Sequence, residues 1–322
     1  MKIQADTPQR IGFFTKGIAM TELTEPCGVL LIDKPAGMTS HDVVGKVRRL
    51  YNTRKVGHTG TLDPLATGVL VILIGRAVKA TEYLSTHQKT YIATLRLGLT
   101  TDTEDVTGEV LTTTDQRPSP KEVVRVAESF SGEIEQIPPM YSALKVGGKK
   151  LVDLARRGVE VERKARPVTV HSMKCEPIGG DDYSLTVTCS AGTYIRTLCA
   201  DIGKALGCGG VMATLRRAET GGFSLADCQT IAALEEIEPE ERRDLLIPIE
   251  PLFADLDAVK LPAFYEKLCR SGCEIYQAKI RDTHPLGARV RLCGADGSFF
   301  ALGEVQEFEK GTAIKAIKHF DV

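Results

Sequence analysis

The sequence predicts an α+β protein in two unequal parts, a large mixed domain followed by a small β-rich one. Three observations carry this. Tyr91 to Leu97 and Tyr183 to Cys189 alternate apolar and polar residues with the period of a half-buried strand. Apolar residues at helical spacing recur around them, as in Ile195, Leu198, Cys199, Ile202 and Leu206. After Pro248 and Pro251 come short apolar runs, two of them separated by Asp296-Gly297, a hairpin signal.

The elements follow in order. Gly28-Val29-Leu30-Leu31-Ile32 is a short apolar strand, and Asp33 to Gly37 a turn. Thr39-Ser40-His41-Asp42 fits a capping box and opens a helix with Val43, Val44, Val47, Leu50 and Tyr51 on one face. Gly57-His58-Thr59-Gly60-Thr61 are turn residues. Asp63 precedes Pro64, which biases it toward extended backbone. Val69 to Ile74 reads as a buried strand, ended by Gly75. In the next strand Tyr91, Ala93, Leu95 and Leu97 share the apolar face. Thr100 to Asp105 is a polar loop, and Lys121 to Phe130 a helix. Ser190-Ala191-Gly192-Thr193 is a turn expected to cap the Ile195 helix. Arg196 falls in that helix's first turn, against the macrodipole, at a cost of up to about 1 kcal/mol, so solvent or a carboxylate should compensate it. Leu234 to Asp244 is acidic and reads as a solvated helix or connector. These readings divide the chain into a flexible extension (1–25), a main domain (26–250) and a terminal domain (251–322).

Composition narrows the function classes. Hydrophobic residues make up 43% of 322, enough for a sizeable core, so global disorder is excluded. Lys+Arg number 41 against 42 Asp+Glu, so any nucleic-acid surface must come from local asymmetry. Such asymmetry exists: from Tyr141 to Arg217 there are 13 Lys/Arg against 7 Asp/Glu, concentrated in an insert over about 138–167. That stretch is either a phosphate-facing surface or a solvated face. The 9 cysteines form no Cys-x-x-Cys pair and read as reduced cytosolic thiols used in packing. No apolar run reaches the roughly 20 residues a spanning helix needs. The first 25 residues show no signal-peptide core.

The stretch Gly57 to Leu70, GHTGTLDPLATGVL, sets a single carboxylate, Asp63, between a polar loop and an apolar strand. Locally it is either a turn starter or an active-site acid. Further blocks accompany it in order: Ile32 to Ser40, Lys89-Thr90-Tyr91, Thr101 to Asp105, Tyr141 to Lys145, Ala191 to Thr197 and Leu215-Arg216-Arg217. Together they resemble the TruB family of tRNA pseudouridine synthases, from Gly28 to about Arg217. Gly297 to Glu304 resembles, less specifically, the family's PUA-type RNA-binding module.

The resemblance implies a catalytic domain on a mixed, largely antiparallel sheet flanked by helices, with a small PUA-like β domain. It implies isomerisation of uridine 55 in the tRNA T-arm loop, in the cytoplasm, by a monomer. Asp63 matches the family's catalytic aspartate, Tyr91 a base-stacking tyrosine, and Arg196 the arginine paired with the aspartate. On the substrate side, His58 matches an RNA-contacting histidine, and Leu215 an apolar wall of the uracil pocket. Lys34 and Pro35 match a pair that supports the active-site loop, and the basic insert, with Lys145, Lys149 and Lys150, would grip T-arm phosphates.

The chemistry explains these residue types. Uracil leaves its sugar and rejoins through carbon with no net redox change, so neither cofactor nor metal is expected. A carboxylate can attack base or sugar, or abstract a sugar proton. Apolar burial disfavours its charged form and a guanidinium restores it. Flipping the base costs a few kcal/mol, and aromatic stacking returns about 1–3 kcal/mol. Two alternatives stay open: an RNA-binding or RNA-folding protein without catalysis, and a glycosidase-like hydrolase with Asp102 or Asp105 as a second carboxylate.

Overall fold

A computed structural model describes residues 25–84 and 88–320. The expected extension, apart from Glu25, lies outside the described residues. The strands are β1 (Gly28–Lys34), β2 (Val56–His58), β3 (Thr67–Ile74), β4 (Lys89–Leu97), β5 (Leu99–Thr101), β6 (Val110–Thr113), β7 (Gly132–Gln136), β8 (Lys145–Val146), β9 (Lys149–Lys150), β10 (Arg166–Gly179), β11 (Asp182–Cys189), β12 (Gly210–Thr220) and β13 (Phe223–Ser224). The helices that bear on the site are α1 (Ser40–Leu50), α2 (Thr81–Leu84), α3 (Pro120–Glu128), α4 (Leu151–Ala155) and α5 (Ile195–Ala205).

The main sheet runs β1-β3-β12-β4-β11-β10-β7, with β2 on β3 and β13 on β12. Every pairing is antiparallel except β12 with β3, where Arg216 faces Thr67 and Arg217 faces Gly68. The mixed, largely antiparallel sheet is therefore as expected. At the parallel contact the chains come so close that a Cβ on Gly68 would lie 2.2 Å from the Arg217 carbonyl oxygen. Gly68 also has φ +104, so only glycine fits without strain.

One face of the sheet packs Tyr91, Ala93 and Leu95 against Val43 and Val47 of α1, Val123 and Ala127 of α3, and Leu198 and Ile202 of α5. The other face of β1 and β3, through Val29, Leu31, Val69 and Val71, meets Phe253, Leu302 and Phe320. Burial on both faces explains why Val69 to Ile74 lacks alternation. The C-terminal strands β14 (Ala258–Lys260), β15 (Ile275–Tyr276), β16 (Arg289–Cys293), β17 (Phe299–Phe308) and β18 (Gly311–His319) pair in the order β14-β16-β17-β18-β15. They enclose a second core around Phe300, Val290 and Ile314. Asp296-Gly297 turns β16 into β17, as expected, with the Gly297 N–H donating to the Gly294 carbonyl at 2.9 Å. No described helix is long and apolar enough to cross a membrane.

The capping box of α1 is present: the Thr39 hydroxyl accepts from the Asp42 N–H at 3.0 Å, and the Asp42 carboxylate from the Thr39 N–H at 2.8 Å. The cap of α5 differs from expectation. Its N-cap is Tyr194, which has no side-chain cap. Gln136 on β7 takes over, accepting from the Tyr194 N–H at 2.8 Å and donating to its carbonyl at 3.0 Å. A residue on a distant strand satisfies the backbone there, so the local Ser190–Thr193 pattern misplaced the cap.

Candidate active site

The Asp63 loop hangs between β2 and β3 and is tied down from several sides. The Ser40 hydroxyl accepts from the Leu62 N–H at 2.8 Å and donates to the Leu62 carbonyl at 3.0 Å. The Ala66 N–H closes a turn onto the Asp63 carbonyl at 3.0 Å, and the Gly37 N–H reaches the Pro64 carbonyl at 2.8 Å. Lys34, 0% exposed, donates to the carbonyls of Pro35 at 2.8 Å, Met38 at 2.6 Å and Pro64 at 3.4 Å. Its ammonium has three donors and all are committed. Lys34 therefore braces the loop from within, with no surface left for RNA. Burial brings its pKa down to about 8, while the Asp63 charge opposes that shift.

Arg196 enters from the first turn of α5. Its Nε lies 2.9 Å from Asp63 Oδ2. Nη1 donates to the Thr103 carbonyl at 3.1 Å and Nη2 to the Tyr141 carbonyl at 2.7 Å. The Asp105 carboxylate is 3.9 Å from Nε. The macrodipole cost is thus met by a carboxylate rather than by solvent. The Arg196 side chain is 5% exposed and that of Asp63 35%. The guanidinium is sealed behind a carboxylate that opens to solvent, so a substrate can reach the carboxylate but not the guanidinium.

The hydrolase alternative loses its second carboxylate. Asp105 Oδ1 accepts from the Thr103 and Thr107 hydroxyls and the Thr107 N–H. Asp102 accepts from the Glu109 N–H at 2.7 Å and the Tyr141 hydroxyl at 3.1 Å. Both organise the loop before β6. Glu104 between them has φ +63 and accepts from the Thr197 hydroxyl at 2.6 Å.

Tyr91 sits on β4 with Val187 of β11 and Arg217 of β12 as register neighbours. It is buried, and burial pushes its phenol's pKa up while the Arg217 charge opposes this. Lys89, also buried, is brought down to about 8 by burial, with Arg217 adding to the effect. His58 is half-buried, and burial lowers its imidazole's pKa, helped by Arg217 and His41. His58 Nδ1 finds no partner among the described residues. Leu215 is buried beside Ala93, and its carbonyl accepts from the Thr67 hydroxyl at 3.5 Å. Pro35 is exposed in the turn after β1.

Arg217 was read from sequence only as part of a motif block. In the fold it is a 2% exposed cation that donates from Nε to the Val69 carbonyl at 2.7 Å and from Nη2 to the Gly60 carbonyl at 3.1 Å. A charged residue closing an apolar strand run was the available signal.

Lys145, Lys149 and Lys150 are exposed on the β8–β9 hairpin. The root of this insert touches the site through Tyr141, whose carbonyl holds Arg196 and whose hydroxyl holds Asp102. The structure thus brings Asp63, Arg196 and the Tyr141 carbonyl together, and leaves the three lysines on an outlying hairpin.

Residues 48–195 match the family model described as TruB family pseudouridylate synthase (N terminal domain). Residues 196–254 match the tRNA pseudouridylate synthase B C-terminal domain. A protein of Clostridium kluyveri named tRNA pseudouridine synthase B is 48% identical over 282 residues, covering 88% of this chain and 96% of that protein. One of the same name from Dechloromonas aromatica is 49% identical over 283 residues, covering 86% and 91%. Among solved structures, a chain of a Cbf5–Nop10–Gar1 complex is 26% identical with a TM-score of 0.67, covering 91% of this chain and 85% of that one. A chain of an archaeal box H/ACA Nop10–Cbf5 complex is 25% identical with a TM-score of 0.66, covering 93% and 88%.

Proposed function

Because this chain belongs to the TruB family of pseudouridylate synthases, we propose that it isomerises uridine 55 in the T-arm loop of tRNA to pseudouridine. The observation that supports this best is the asymmetric pair of Asp63 and Arg196, with the carboxylate open to solvent and its counter-charge sealed behind it. The flipped uracil enters beside Asp63, between Tyr91 and Leu215. The glycosidic bond from C1′ to N1 breaks, the base turns, and a bond from C1′ to C5 forms. The C5 hydrogen then leaves as a proton and N1 gains one, so atoms and electrons balance. Asp63 is the catalytic residue, and Arg196 keeps it aimed while Thr103 and Tyr141 hold Arg196. The Lys145–Lys150 hairpin and the PUA-like module over 251–322 bind the RNA backbone, and His58 lies against the loop near the flipped base.

The test is direct. A T-arm stem-loop transcript carrying tritium at C5 of its uridines is incubated with the purified chain. One tritium per RNA should be released, and a transcript with cytidine at position 55 should release none. No release, or release that ignores that position, refutes the reading. A protein that only binds or folds RNA would shift the transcript on a gel without releasing tritium.

A further inference from the structure

The local hydroxyls that could cap α5 are spent elsewhere. Ser190 Oγ accepts from the Thr169 N–H at 2.9 Å, and the Thr193 hydroxyl donates to the Ser190 carbonyl at 3.0 Å. The N-cap residue, Tyr194, is held by Gln136 at the end of β7, which is 2% exposed. Gln136 Oε1 accepts from the Tyr194 N–H at 2.8 Å, and Nε2 donates to the Tyr194 carbonyl at 3.0 Å. An amide carries a donor and an acceptor on one carbon, which matches the N–H and C=O of a single residue. Two bonds to one residue fix its orientation as well as its place. Arg196 follows in the first turn of the helix, and the same stretch of chain holds its far end, since the Tyr141 carbonyl accepts from Nη2 at 2.7 Å. Between the two holding points stand Pro138 and Pro139, both buried, each with φ fixed near about −65°. The Pro138 carbonyl is itself tied down, accepting from Arg163 Nη1 at 3.0 Å. Gln136 to Tyr141 is therefore a stiff strap that grips both the helix start carrying Arg196 and the guanidinium itself.

Arg196 needs such a grip. The macrodipole repels a cation in the first turn of a helix. The first N–H groups of a helix have no partner within it, so an unsupported start frays. Arg196 Nε meets Asp63 at 2.9 Å, a single hydrogen-bond length. A misplacement of about 1 Å at a reacting site costs about a hundredfold in rate. We propose that Gln136 is a positioning residue for the isomerisation: by fixing Tyr194 it sets where the helix begins, and so aims the guanidinium that holds Asp63. Gln136 is too deeply buried to meet RNA, so it acts through Arg196 alone. The inference rests on the pseudouridine synthase reading above.

The experiment compares Gln136→Met and Gln136→Glu, each alone and with Arg196→Lys, in single-turnover tritium release from the T-arm transcript. Methionine keeps the length and removes both polar groups. Glutamate keeps an acceptor for the Tyr194 N–H and sets an oxygen against the Tyr194 carbonyl. Circular dichroism melts report folding, filter binding reports RNA affinity, and rates are taken well below each melting temperature. The expected result is a loss of about ten- to hundredfold in the single-turnover rate of at least one folded variant, with RNA affinity within about threefold. In the Arg196→Lys background the same change should cost less than about threefold, because the fork it aims is gone. A cap that serves stability alone would lower the melting temperature and leave the rate of the folded enzyme unchanged, which overturns the proposal. Equal losses in both backgrounds overturn it too, as does a fall in affinity that accounts for the lost rate, or failure of both variants to fold. Inactive wild-type enzyme would instead overturn the proposed function, so the two failures are distinguishable.

Discussion

Replacing Asp63 by asparagine tests the site with the least disturbance. The side chain keeps its shape and one acceptor oxygen, which can still take the Arg196 Nε–H now 2.9 Å away. What disappears is the charge. At this separation a pair of unit charges interacts by about 1.4 kcal/mol in water and about 6 kcal/mol at an effective dielectric constant of 20. Asp63 is 35% exposed, so solvent screens the pair toward the lower figure. The surviving neutral hydrogen bond recovers part of the loss. The net cost to folding is therefore about 1–2 kcal/mol, or roughly 2–6 °C in Tm. The cost to chemistry is of another order, because an amide can neither attack the base or sugar nor take a proton. Tritium release should fall by at least about 10³–10⁴-fold. RNA affinity should stay within about threefold, since removing a negative charge from an RNA-facing site does not weaken phosphate binding. A folded Asp63→Asn enzyme that keeps a tenth of the wild-type rate would refute the assignment of Asp63 to the chemical step.

Three further perturbations reach the pair, the basic hairpin and a buried carboxylate nearby. Arg196→Met leaves Asp63 and Asp105 without their shared cation and the Thr103 and Tyr141 carbonyls without a donor, so it should cost about 3–5 kcal/mol, read by denaturant unfolding; a loss under 1 kcal/mol would show that the pair does not hold the loops together. Lys149→Ala with Lys150→Ala should flatten the salt dependence of RNA binding by about 1.4–1.8 in log–log slope, and an unchanged slope would remove the hairpin from the phosphate-contacting surface. Glu104→Gln concerns pH. Burial raises the Glu104 pKa above its ordinary value, so between the unfolded and folded pKa the folded state binds the extra proton and stability falls as pH rises. The penalty is complete above the folded pKa and absent below the unfolded one. Glutamine can still accept from Thr197, so the variant should be more stable than wild type at pH 7 and lose that advantage below about pH 4, the ordinary glutamate range. Equal melting temperatures at both pH values would contradict this.

Much of the architecture was legible in the residues because periodicity is a local property. Alternation in Tyr91 to Leu97 marked β4 and its buried face, and the capping box placed the start of α1 correctly. Asp63, Tyr91 and Arg196 were named from motif blocks, and the Asp296-Gly297 turn was read from two residues. Partnership was not legible, because it depends on segments far apart in sequence. That Asp63 and Arg196, far apart in sequence, close to 2.9 Å is decided by β3 and α5 packing on a common sheet. Gln136 holding the start of α5, Lys34 spending every donor on loop carbonyls, and Arg217 lying buried between Gly60, Val69 and Tyr91 follow from the same sheet order. A lysine or arginine in a sequence reads as surface by default, since burying a charge is costly without partners. Only the tertiary structure supplies those partners, and so only it could show which of this chain's cations stay at the surface and which are sealed inside.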